Sequence, residues 1–250
     1  MRIYKTLNIG DFHTNNCEDF LVVEQIATNE KLIAVLDGCT MGTESVFASF
    51  LYGKILRNIS KKEFYKEFVT NEPIDLKSKL KEVIKQLIDE TKSIQSQLGL
   101  DRNELLSTLI IGIINTKDSN AEFLTVGDGL ICNDGEIIEY EQDDKPDYLG
   151  YHLTDDFDEW YNSQSQKLSV SGFKDLSICT DGIYTFKNLE NKAKQKTEDD
   201  IIQHLLIDNE NSEFDNFLDR KIRFLKEKWN HIVTDDLAII RIKTTPQQNL

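Results

Sequence analysis

Proline is scarce in this chain, with three residues in 250, and only twelve glycines accompany it. There is little material for an interdomain linker, and neither a repeat nor a low-complexity tract interrupts the sequence. One domain covering residues 1–250 is the expectation. Positive charge is also short: 29 Lys and Arg face 44 Asp and Glu, a formal net charge of −15. Unaided binding to nucleic acid or to an anionic membrane needs basic patches, so the balance argues against both partners. No apolar run approaches the ~20 residues of a membrane span. The opening decapeptide lacks the continuous apolar stretch of a secretory signal, and a cytoplasmic protein is expected. The four cysteines, Cys17, Cys39, Cys132 and Cys179, show no zinc or redox spacing and read as free thiols.

What the chain does have is periodicity. Leu76, Leu80, Val83, Ile84, Leu87, Ile88 and Leu98 follow Pro73 at helical spacing, and Gly99 marks a stop. A second helix is expected from Ser212 to about Trp229, and a third from Gly42 to Ile59. Strands are expected at Phe20–Val23, Leu32–Leu36, Leu109–Ile114, Phe123–Val126, Leu176–Ile178 and Leu237–Ile242. Connections such as 27–30 and 115–120 are hairpin length, so the sheets should be largely antiparallel. Long helices among antiparallel strands point to an α+β layered domain. The polar stretch from Asp144 to Gly172 carries Tyr148, Tyr151, Trp160 and Tyr161. It reads either as a solvated excursion or as a lip whose aromatic side chains contact a partner.

Acidic residues gather at strand ends. A hairpin turning near Thr28 puts Glu18-Asp19 and Asp37-Gly38 side by side at its open end. A second hairpin, turning near Lys117, puts Ser107-Thr108 beside Asp128-Gly129. The strand ending in Asp181-Gly182 would share an edge with the strand beginning after Asp235-Asp236, if the two are antiparallel neighbours. Asp-Gly is also a common turn dipeptide, and Asp134-Gly135 reads as a turn. Crowded carboxylates repel, so a cation is the natural occupant of such an edge. Oxygen ligands with no His or Cys among them favour Mg²⁺, Mn²⁺ or Ca²⁺ over zinc.

These residues resemble, in order, the motifs of the protein phosphatase 2C family, the metal-dependent serine/threonine phosphatases. Asn16-Cys17-Glu18-Asp19 resembles its first acidic motif. Ala34-Val35-Leu36-Asp37-Gly38, with Gly42 and Glu44, resembles the Asp-Gly motif that leads into a helix. Leu106-Ser107-Thr108, Val126-Gly127-Asp128, Gln142-Asp143-Asp144-Lys145-Pro146, Cys179-Thr180-Asp181-Gly182 and Asp235-Asp236-Leu237-Ala238 resemble the rest. The resemblance runs from Asn16 to Ile242 and suggests a divergent bacterial-type branch. It implies a four-layer α-β-β-α sandwich with two central antiparallel sheets and a site for two Mn²⁺ or Mg²⁺ ions. Asp37 would bridge both ions, Asp181 and Asp235 would serve one, and Glu18 with the Gly38 carbonyl the other. Asp128 with Asp181 would hold a third, weaker ion. A hydroxide bridging the two metals would attack a phosphoserine or phosphothreonine in a protein substrate, with Asp37, Asp181 and Asp235 as the catalytic acids.

The chain departs from the family at Thr14, where many members carry a phosphate-gripping Arg, and at Cys39-Thr40-Met41 and Gly129-Leu130. His13 and Thr14 are the candidate substrate-binding residues. A catalytically weak pseudophosphatase acting as a phosphoprotein-binding or regulatory module is the alternative. Cys39 as a thiol nucleophile is disfavoured, because no basic loop surrounds it to stabilise a thiolate.

Overall fold

The structure is a computed structural model that describes residues 1–13, 16–39, 44–69, 74–140 and 146–244. Its elements in chain order are β1 (Arg2–Asn8), β2 (Phe20–Ala27), β3 (Glu30–Leu36), α1 (Phe47–Lys66), α2 (Leu76–Leu98), β4 (Leu109–Asn115) and β5 (Asn120–Val126). They continue with β6 (Gly129–Asn133), β7 (Glu136–Tyr140), α3 (Phe157–Ser163), β8 (Lys167–Val170), β9 (Asp175–Cys179) and β10 (Phe186–Asn188). The last four are α4 (Glu198–Ile202), α5 (Phe217–Trp229), β11 (His231–Val233) and β12 (Leu237–Lys243). Two five-stranded antiparallel sheets form, ordered β1-β12-β9-β6-β7 and β2-β3-β4-β5-β8, with a separate β10-β11 ribbon. Among the described residues no helix is long and apolar enough to cross a membrane.

The layers follow from which faces must be covered. In β3, Leu32, Ala34 and Leu36 pack into a core shared with the α1 and α2 residues Tyr52, Leu56, Val83 and Leu87. The alternate residues Ile33 and Val35 pack into a second core, with Ile178, Ala238 and Ile240 of the other sheet. Both faces of β3 and β4 are therefore dry, which is why their sequences are nearly continuous apolar runs. A third core lies beneath α4 and α5, against Leu130, Cys179 and Ile239. The result is the α-β-β-α sandwich.

Local chemistry shifts some boundaries. In α2, Asp75 caps the start, accepting from the Ser78 N–H at 3.0 Å, and Gly99 ends the helix at φ 66°. Pro73 and Gly42, expected near helix starts, lie outside the described residues. The helix expected from Ser212 begins only at Phe217. Arg2 Nη1 donates to the Ser212 and Glu213 carbonyls at 3.3 and 3.0 Å, and the Tyr4 hydroxyl also donates to Ser212. Those carbonyls are held by the N-terminal strand instead of an earlier helical turn. That strand, β1, had no distinct signal, because only Tyr4 and Thr6 of its seven residues are buried. The stretch after Pro146 is no aromatic lip: Tyr148, Trp160 and Tyr161 are buried, the last two in the core with α1 and α2.

Two buried polar constructions hold the periphery. Arg241, on β12, is fully buried. Its guanidinium bonds the Asp175 carboxylate at 2.9 and 2.7 Å, the carbonyls of Leu205, Ile207 and Asp208, and the Asn209 side chain. It ties a single π-helical turn, 203–207, to the sheet. His152 stacks on Trp160, with Nε2 2.8 Å from Asp147 and Nδ1 2.8 Å from Asp155. Burial opposes its charge, but the two carboxylates prevail and raise its pKa above 6.5.

Arg241→Leu should cost roughly 3–5 kcal/mol in urea denaturation, because it leaves several carbonyls without their donor and the partly buried Asp175 carboxylate with only Lys243 at 3.6 Å. The stabilisation from the His152 clamp should be complete below pH 6.5 and fade as pH rises through the raised folded value. Denaturation of the native chain and His152→Asn across pH should show their stability difference shrinking above pH 6.5.

Candidate metal and active site

The site forms where strands from both sheets end. Phe20 pairs with Leu36, so the next residues outward, Asp19 and Asp37, leave the open end of the β2-β3 hairpin together. The Asp37 carbonyl accepts from Thr108 N–H at 2.9 Å, and Gly38 bridges to Ser107. The loop before β4 thereby holds the Asp37-Gly38 backbone. Asp128 follows β5 between Gly127 and Gly129, whose φ angles of 94° and 127° let the chain reverse directly into β6. In the other sheet, Ile239 pairs with Cys179, which brings the residues after β9 beside those before β12. Asp181 opens a 3-10 turn there, 181–185. Gly182 packs so closely on the Asp236 carbonyl that a Cβ would sit 1.8 Å from it.

Asp37, Asp128 and Asp181 each present a carboxylate oxygen, and the three oxygens lie within 4.8 Å of one another. Among the described residues, no lysine or arginine forms an ion pair with any of the three. Burial raises the pKa of Asp37 well above the carboxylate range, and the charges of Asp19, Asp181 and Asp128 add to it. Burial also raises Asp181, reinforced by Asp128 and Asp235, and it raises Asp128. The donor set is all oxygen, it is partly buried, and its charges are uncompensated. It fits a hard divalent cation.

A supporting shell surrounds this cluster. Asp19 is 2% exposed, and its Oδ2 accepts from the Thr180 hydroxyl at 2.7 Å. Its Oδ1 is buried and, among the described residues, has no hydrogen-bond donor. Asp236, also 2% exposed, accepts from the Gly10 N–H at 2.7 Å and from the Glu18 N–H, and lies 2.9 Å from His13 Nδ1. His13 Nε2 is 3.4 Å from Asp235 Oδ1. One buried carboxylate therefore fastens Gly10, His13 and Glu18 to the start of β12.

The structure brings together Asp37, Asp128 and Asp181 of the expected ligands, with Asp235 beside Asp181. Glu18 and Asp235 stand outside the 4.8 Å group, and the Asp235 side chain is 49% exposed. Thr14 lies outside the described residues. His13 faces the Asp235-Asp236 pair. The supporting roles of Asp19 and Asp236 were not assigned from sequence. Their signal was the acidic doublets Glu18-Asp19 and Asp235-Asp236, because successive extended residues face opposite ways and only one of each pair can face a shared edge.

A family model described as protein phosphatase 2C matches residues 12–229. No curated protein matches the chain. Among solved structures, a mutant form of a bacterial serine phosphatase has a TM-score of 0.64 at 16% identity, covering 98% of this chain and 99% of that one. Serine/threonine phosphatase Stp1 from Staphylococcus aureus has a TM-score of 0.59 at 12% identity, covering 97% and 94%. RsbX in complex with magnesium has a TM-score of 0.54 at 15% identity, covering 96% and 92%. At these identities the likeness is one of fold.

Asp37→Asn should raise the melting point of the metal-free chain, by on the order of 1 kcal/mol of stability, since it removes one of several repelling charges. It should also abolish the upward shift that excess Mn²⁺ gives the native chain. Thermal melts of both proteins with and without Mn²⁺ check both effects.

Proposed function

From this chain's membership of the protein phosphatase 2C family, the metal-dependent serine/threonine protein phosphatases, we propose that it removes phosphate from phosphoserine and phosphothreonine in proteins, using two Mn²⁺ or Mg²⁺ ions. The observation that carries the site assignment is the meeting of Asp37, Asp128 and Asp181 oxygens within 4.8 Å, without a basic partner among the described residues. We assign Asp37 as the ligand common to both ions and Asp181 and Asp235 to one of them. Glu18 and the Gly38 carbonyl are assigned to the other, and Asp128 with Asp181 to a weaker third. When bound, these cations supply Lewis acidity that activates water and offsets phosphoryl charge.

The remaining tasks fall to the protein. Thr180 holds Asp19 by its hydroxyl, and Asp19 in turn stands beside Asp37 and limits how that carboxylate can turn. Asp236 keeps His13 and Glu18 at the edge where substrate enters. His13 and Thr14 are the residues we assign to the substrate side. A neutral hydroxyl at position 14 grips phosphate less strongly than a guanidinium would. The pseudophosphatase alternative is not favoured, because every carboxylate the chemistry needs is present. The four unpaired cysteines suit a reducing cytoplasm, which we propose as its location, in signalling by reversible phosphorylation.

An aryl phosphate such as p-nitrophenyl phosphate should turn over only with Mn²⁺ or Mg²⁺ present. A chelator and Asp37→Asn should each eliminate turnover. Asp19→Asn should raise the Mn²⁺ concentration needed for half-maximal turnover by roughly 10–100-fold, the usual effect of losing an outer-shell partner. Turnover that persists through chelation and Asp37→Asn would overturn the metal-dependent reading.

A further inference from the structure

The 3-10 turn that opens at Asp181 closes at Thr185 and runs directly into β10. Phe186 pairs with Val233, so one step further out Thr185 stands opposite Thr234. The Thr185 carbonyl accepts from the Thr234 N–H at 3.3 Å and from the Thr234 hydroxyl at 2.9 Å. The Thr185 hydroxyl accepts from the Asp235 N–H at 3.1 Å and donates to the Gly182 carbonyl at 2.8 Å. One side-chain oxygen thus joins the residue after Asp181 to the amide of Asp235. These are the two acids assigned above to the same ion.

Asp235 is the acid that most needs such a tether. It stands outside the 4.8 Å group and its side chain is half exposed. Its Oδ1 accepts from the Asp236 N–H at 2.8 Å and lies 3.4 Å from His13 Nε2. A carboxylate that solvent leaves free to turn can meet an ion in a set place only if its backbone is fixed. The backbone here is held from two sides. The Phe12 N–H donates to the Thr234 carbonyl at 3.2 Å, and a Cβ on Gly10 would sit 2.3 Å from the Asp235 carbonyl carbon. Those contacts set how Asp235 lies against the N-terminal segment. The bond to Thr185 sets how it lies against Asp181. That bond needs a group that donates and accepts at once, as a hydroxyl does. Valine has nearly the same shape with neither function, and serine keeps both.

We propose that Thr185 is a positioning residue for divalent-cation binding: its hydroxyl locks the Asp235 backbone to the Asp181 turn, so that both carboxylates close on one ion. The role rests on the assignment of Asp181 and Asp235 to a common ion given above, and Thr185 acts through Asp235. Outer partners of this kind orient the ligand that meets the metal, and their loss is read in metal affinity.

The probe is Mn²⁺ alone, titrated calorimetrically into the metal-free full chain. Thr185→Val should weaken Mn²⁺ binding by roughly 10–100-fold, the usual effect of losing an outer-shell partner. Thr185→Ala should do the same, and Thr185→Ser should restore the native affinity. Thr91→Val removes a buried hydroxyl that donates to the Leu87 carbonyl within α2, and it should bind Mn²⁺ as the native chain does. In a double-mutant cycle, Thr185→Val should add little to Asp235→Asn, because its effect passes through Asp235. Native affinity in both Thr185→Val and Thr185→Ala would overturn the role. So would a serine variant as weak as the valine one, or a loss fully additive with Asp235→Asn. Aryl phosphate turnover by the native chain at saturating Mn²⁺ keeps the two readings apart. An active chain whose Thr185 variants bind Mn²⁺ normally overturns the positioning role alone. An inactive chain that follows the expected binding pattern overturns only the phosphatase reading.

Discussion

Mutual repulsion among buried carboxylates is the constraint around which this molecule is arranged. Asp37, Asp128 and Asp181 crowd within 4.8 Å, with Asp19 and Asp235 close behind. Each charge raises the cost of ionising the next, and burial raises it further. Such a group does not stay together unless the backbone carrying it is rigid. Here every acid sits within two residues of a strand end, and the strands belong to sheets whose facing sides share one dry core. Two sheets are needed because the acids come from both: Asp37 adjoins one, Asp181 and Asp235 the other, and Asp128 lies where the chain crosses from the first to the second.

Neutral and buried partners complete the arrangement. Thr180 spends its hydroxyl on Asp19 while accepting from the Ala238 N–H at 2.9 Å, so one side chain links both sheets at the site. Asp236 gathers two backbone donors and a histidine and so fixes the incoming N-terminal segment. On the far side, Arg241 answers the opposite problem, a buried cation satisfied by a carboxylate and several carbonyls. The molecule therefore separates its charges by function. The uncompensated negative charges stand at one edge, where a cation can complete them. The buried positive charge is fully partnered and structural.

Substrate choice is a different matter from chemistry, and the surface divides it accordingly. The strongly acidic balance that suits cation binding disfavours acidic partners at long range. Next to the carboxylate edge the surface is mixed, with Lys187 and Lys192 beside Glu198 and Asp199. Phe12 and Lys187 connect that patch to His13 and Asp235 through a few contacts.

Much of this was legible in the residues themselves. The period-two and helical patterns located both central hairpins and α2, while the antiparallel pairing of β9 with β12 stood only as a condition that the structure meets. Register arithmetic placed the Glu18-Asp19 doublet beside Asp37, because side chains in a hairpin are fixed by the position of its turn. The edge strands β1 and β7 were not legible, since a strand with one wet face and few buried residues carries little hydrophobic signal. Nor was the fate of Trp160 and Tyr161, whose burial depends on helices 60 or more residues away in sequence. Local patterning, then, determined which residues end strands and that acids stand at those ends. Only the tertiary structure decided which acid of each doublet turns inward. That choice depends on long-range partners such as Thr180 for Asp19 and Gly10 for Asp236, 161 and 226 residues apart in the chain.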